Sequence, residues 1–108
     1  MSSEAATASK IEEDKYILGY VYIISDTKNN QCLYIGSSHN IKKRLNKHFS
    51  DLNKNKNELY IYINNLGIEN INIKILDTSR YKNKYELRNI EQDYINSYRT
   101  IFNKTKRF

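Results

Sequence analysis

The stretch GYVYIISDTKNNQCLYIGSS, residues 19–38, decides how this chain is read. From Gly19 to Ser25 it is β-branched and aromatic, Asp26 to Asn30 supplies turn-forming side chains, and Cys32 to Ile35 resumes the strand pattern. That is a β-hairpin. A turn centred near Lys28 sets Tyr22 and Tyr34 opposite each other, projecting from one face, and a slip of one residue separates them.

Working outward, Ile41, Leu45, Phe49 and Leu52 recur at helical spacing between Asn40 and Leu52, with Ser38 or Asn40 available as an N-cap. On the flank of this amphipathic helix Arg44 and His48 stand one turn apart, while Lys42, Lys43 and Lys47 face solvent. Glu58 to Leu66 reads as a second helix stopped by Gly67, and Ile71, Ile73 and Ile75 alternate as a third strand. A last helix starts near Asn83 or Lys84, with Leu87, Ile90, Tyr94, Ile95 and Tyr98 as its core face. Glu91 falls inside that stripe. A carboxylate there either pairs with a cation, Arg44 being the candidate, or binds a metal.

The expected fold is therefore α/β (α+β): a three-stranded antiparallel sheet flanked by three helices, in the order β-β-α-α-β-α. At 108 residues there is room for one domain. Residues 1–15 are small, polar and aperiodic and read as a disordered arm; residues 16–108 form the folded unit.

Lys and Arg outnumber Asp and Glu by 18 to 12, a net charge of +6, which favours a polyanionic partner, nucleic acid before membrane. A single Cys32, with only His39 and His48 beside it, excludes an internal disulfide and a structural zinc site of Cys and His ligands. No apolar run approaches the roughly 20 residues of a membrane span, and no secretory leader is evident. A soluble, intracellular protein is expected, its compartment open and a viral origin allowed.

These segments, from about Gly19 to Lys104, resemble the GIY-YIG endonuclease family. Tyr20-Val21-Tyr22 followed by Ile24 is similar to its first signature, with Gly19 one place early, and Tyr34-Ile35-Gly36-Ser37-Ser38 matches the second. Ile41-Lys42-Lys43-Arg44-Leu45 with His48 resembles the family's helix, Glu91-Gln92-Asp93-Tyr94-Ile95 its metal-binding segment, and Asn103-Lys104 its C-terminal element. Asn57 stands near where some members carry a further His.

The resemblance implies a phosphodiester hydrolase acting on DNA, with Tyr22, Tyr34, Arg44, His48, Glu91 and Asn103 as site residues and Glu91 holding Mg²⁺ or Mn²⁺. Arg44 suits transition-state charge. Tyr22 is the favoured general base or relay, Tyr34 positions water or phosphate, His48 accepts a proton, and Asn103 orients the site or its water. Because a free phenol titrates near 10, its use as a base requires acidification by the metal, Arg44 and His48. Lys42, Lys43, Lys47, Lys54, Lys56 and Lys104, with Lys106 and Arg107, form the expected backbone-binding surface.

Taken singly, each of these residues has an ordinary reading: strand aromatics, a solvated helix edge that also holds His39, a buried ion pair, solubilising charge. Gly36 serves backbone freedom as readily as phosphate approach. The expected roles are nicking or structure-directed cleavage in DNA repair, recombination or mobile-element and viral DNA processing, with a targeting protein or homodimer as possible partner. The alternative is a non-catalytic nucleic-acid-binding or partner-docking module of the same fold.

Overall fold

The computed structural model describes residues 16–55 and 57–103. Its elements are β1 (Ile17–Asp26), β2 (Gln31–Ser38), α1 (Ile41–Leu52), α2 (Glu58–Leu66), a single 3₁₀ turn (Ile68–Asn70), β3 (Ile71–Tyr81) and α3 (Lys84–Tyr98). The three strands are antiparallel in the order β2-β1-β3. Both the element order and the fold class are those read from the sequence. The arm at residues 1–15 lies outside the described residues.

β1 is the central strand, and its alternating side chains serve two cores. Tyr22 and Ile24, with Leu33 of β2, pack under α1 and α2 against Leu59, Tyr60 and Ile63. Val21, Ile23 and Ile35 face the other way, onto Leu87, Ile90, Tyr94 and Ile95 of α3. The helices carrying Arg44 and Glu91 thus cover opposite faces of one sheet. Three residues counted in apolar patterns sit outside these cores: Phe49 is 49% exposed, and Tyr98 and Ile75 are 42% exposed. Tyr98 lies in the last turn of α3, its ring against Tyr94.

The hairpin register differs from the expected one. Tyr22 faces Gly36 and Ile24 faces Tyr34, with a bulge between Ile24 and Ser25. Asp26 accepts hydrogen bonds from the Lys28 and Asn29 amides, from the Asn29 side chain and from Tyr62, which holds the turn at residues 27–30, centred between Lys28 and Asn29. Burial opposes ionisation of Asp26, but these bonds outweigh it and set its carboxyl at about 2. A displacement of two residues preserves the side of the sheet, so both phenols still share a face, their ring centroids 6.4 Å apart.

Each α-helix starts at an asparagine whose side chain accepts from an amide three residues on: Asn40 from Lys43, Asn57 from Tyr60, Asn83 from Glu86. Such caps contribute about 1 kcal/mol apiece. Asn57 therefore has a structural duty of its own. The outer edge of β2 is covered by the C-terminal stretch: the amides of Ile101 and Phe102 donate to the carbonyls of Cys32 and Leu33.

Candidate active site

The second tyrosine motif is built around a missing side chain. A Cβ at Gly36 would collide with the hydroxyl and ring of Tyr22 and with the ring of Tyr34. Space, not an unusual dihedral, requires glycine here. The Tyr22 phenol lies across the Gly36 backbone with 0% exposure, its hydroxyl 2.7 Å from Nε2 of His48. His48 meets Tyr34 edge-on, with centroids 5.9 Å apart. Tyr34 is half-buried and lines, with His48 and Asn57, a cavity of about 390 Å³.

Electrostatically this cluster holds its groups neutral. Burial raises the Tyr22 phenol well above its ordinary value, Tyr34 adds to the rise, and the Arg44 guanidinium offsets only part of it. Burial and the Glu91 carboxylate likewise raise Tyr34. Burial first, and Arg44 second, push His48 below its usual range. The acidified phenol expected from the sequence is thus not what the protein alone provides, because desolvation of an enclosed oxygen exceeds the pull of one guanidinium.

Arg44, from α1, reaches the end of β2, where the two faces of the sheet meet. There a cavity of about 220 Å³ is lined by Ser37, Ser38, His39, Arg44 and, from α3, Lys84 and Arg88. A second hollow of about 280 Å³ adjoins it beside Asn40, Lys43 and Lys47. His39, read from the sequence as solvated edge, belongs to both.

Glu91 arrives at this rim from α3. Ser37 Oγ donates to its Oε1 at 2.5 Å. No ion pair joins Glu91 to Arg44, in contrast to the pairing considered above; Arg44 and Arg88 act on it only at longer range. Burial keeps its carboxyl above the usual range, with the Ser37 bond and both arginines opposing. Its second oxygen has no protein hydrogen bond among the described residues. Among those residues no group of three or more His, Cys, Asp or Glu gathers. One available hard oxygen donor fits Mg²⁺, which commonly binds through one or two carboxylates and fills its shell with water and phosphate oxygens.

Asn103 acts on the backbone of β2. Its side chain accepts from the Ile35 amide at 2.6 Å and donates to the Ile35 carbonyl at 2.8 Å, while Thr100 donates to the same Oδ1. It extends the sheet edge and fixes the backbone between Tyr34 and Gly36. Lys42 and Lys43 are exposed. Lys47 and Lys54 flank Asp51 at 3.4 and 3.6 Å. Lys56, Lys104, Lys106 and Arg107 lie outside the described residues.

Two participants escaped the sequence reading. Ser37 stood in the motif without a role, and Tyr60 lay within the second helix with no reading of its own. Its hydroxyl is 2.7 Å from Nδ1 of His48, a contact between α2 and α1 that no sequence spacing announces.

The sheet thus carries two phenols that face an imidazole, with an arginine and a lone carboxylate at its rim. A family model of the GIY-YIG catalytic domain matches residues 18–106, and the chain belongs to that family, a nuclease domain. The solved structure of the catalytic domain of homing endonuclease I-TevI is similar: 26% identity, TM-score 0.65, covering 75% of this chain and 88% of that one. No curated protein matches.

Proposed function

We propose that this chain is a metal-dependent DNA endonuclease serving DNA repair, recombination, or the processing of mobile-element or viral DNA. The observation that carries the reading is the meeting of Tyr22, Tyr34, His48, Arg44 and Glu91 around Gly36 and Ser37 of β2. The scissile phosphate sits at the end of β2, where Arg44 donates in a fork to two of its oxygens. Tyr34 orients the attacking water. Tyr22 takes the proton of that water as it passes its own to His48. Glu91 holds Mg²⁺ or Mn²⁺, which when bound supplies positive charge to the departing 3′ oxygen.

DNA is drawn to the site by Lys42, Lys43 and Lys47 on α1, contacts that attract phosphate without reading sequence. With one site, a monomer cuts one strand per encounter; a second cut calls for a second copy or a targeting partner. No described helix is long and apolar enough to cross a membrane.

The test is nicking of supercoiled plasmid with Mg²⁺ or Mn²⁺, alongside flap, fork and junction substrates. Glu91→Ala is expected to abolish cutting and leave DNA binding largely intact. Undiminished cutting by that variant refutes the metal role; binding without cutting by the wild type on every substrate favours the docking-module alternative.

A further inference from the structure

His48 is held from both sides. Nε2 lies 2.7 Å from the Tyr22 hydroxyl and Nδ1 2.7 Å from that of Tyr60, and the Tyr60 ring stands edge-on to the imidazole at 5.8 Å. A neutral imidazole carries one donor and one acceptor, whereas a phenol can be either, so two arrangements of hydrogens satisfy these contacts. Only one has Tyr22 donating to His48, as proton removal from the site requires.

The surroundings choose between them. The Arg44 guanidinium, a cation that can only donate, acts on the Tyr22 oxygen by its charge and offers it no acceptor. Tyr22 is fully enclosed, and among the described residues His48 Nε2 is the one acceptor its hydroxyl meets. If Nε2 carried the hydrogen, the Tyr22 hydrogen would be left without an acceptor in a buried site, costing roughly 1–3 kcal/mol. With the hydrogen on Nδ1, both contacts are satisfied: Tyr22 donates to Nε2, and Nδ1 to Tyr60. Tyr60 borders the 390 Å³ cavity beside Asn57 and Glu58, toward which its own hydroxyl can donate.

We propose that Tyr60 is a positioning residue of the reaction: by accepting Nδ1–H it keeps the Nε2 lone pair of His48 turned toward Tyr22 and so sets the direction in which the proton leaves. This rests on the nuclease reading above. As the water oxygen bonds to phosphorus and the bond to the 3′ oxygen breaks, the water proton moves to Tyr22 and the Tyr22 proton to Nε2. The resulting imidazolium has both N–H groups engaged, and it returns a proton to cavity water after product leaves. The departing 3′ oxygen takes its proton from solvent. Burial of both groups opposes transfer from Tyr22 to His48, so a fixed acceptor for Nδ1–H lowers the cost where it matters.

Tyr60→Phe keeps the ring and removes only the hydroxyl. Its kcat is expected to fall on the order of tenfold or more, within the roughly 10²–10⁴ that positioned acid–base groups contribute, at unchanged KM and DNA binding. Nitrogen-15 NMR of labelled His48 gives a readout independent of cutting: the wild type shows the neutral Nδ1–H form, and Tyr60→Phe shifts it toward Nε2–H. A wild-type Nε2–H signal, or a variant with unaltered tautomer and rate, overturns the assignment. Should the variant fold poorly, the wild-type spectrum alone decides. Should the wild type cut no DNA, the nuclease reading fails while the NMR comparison still judges Tyr60.

Discussion

The Tyr22 hydroxyl lies across Gly36 on the neighbouring strand, in the space any side chain at position 36 would need. The second tyrosine motif thus exists to seat a residue of the first, and the 2.7 Å contact from Tyr22 to His48 depends on that seat.

Gly36→Ala is expected to destabilise the fold by about 1–3 kcal/mol through overpacking and to lower cutting by displacing Tyr22 from His48. Tyr22→Phe removes the nearest clashing atom, so the double variant should lose less stability than the two singles summed. Thermal unfolding of the three variants measures the coupling; strict additivity would remove the steric explanation.

Glu91→Gln separates stability from function. The carboxyl of Glu91 titrates above its unfolded value because of burial, so its contribution is most favourable below the unfolded pKa and is lost as pH rises through the folded one. Holding it ionised at pH 7 costs stability. Without added metal, the glutamine variant is expected to melt higher than wild type at pH 7, the difference shrinking as pH falls toward 4, while nicking is lost. Melting curves across that range check the sign.

His48 works in the opposite sense. Burial and Arg44 depress its pKa, so its contribution to stability is present above the unfolded value near 6.5 and lost as pH falls through the folded one. Replacing it by Gln should flatten the stability profile just below pH 6.5, read from urea midpoints at successive pH values.

Lysines of the basic surface should not count equally. Lys47 and Lys54 sit beside Asp51, whereas Lys42 and Lys43 are exposed on α1. Replacing Lys42 and Lys43 by Ala is expected to reduce the slope of log binding constant against log salt by about 2, and Lys54→Ala to change it little. Binding titrations at several salt concentrations distinguish the two.

The hairpin, the three helices and the element order were legible because the relevant signals are local: β-branched runs, helical spacing, an asparagine cap, and Gly67 after Leu66. The shared face of Tyr22 and Tyr34 also followed, since a displacement of two residues preserves parity. The register itself did not, because the bulge after Ile24 and the grip of Tyr62 on Asp26 join positions 36 residues apart. The side chains of the site were mostly named from the sequence, but their partners were not. Tyr60 meets His48 only once α2 docks on α1. Burial also reversed the expected direction of the Tyr22 phenol, and no string of residues states how deeply a hydroxyl is enclosed. Ser37 as the partner of Glu91, and Ile35 as that of Asn103, likewise depend on packing across the whole chain.

The run from Ile101 to Asn103 is stitched to the strand that carries Tyr34 by backbone and amide contacts, and Phe102 packs on the core beneath α1 and α2. A mechanical load applied at that run would therefore be felt by the tyrosine strand and by that core together. Whatever is tethered there has a direct grip on the geometry of cleavage.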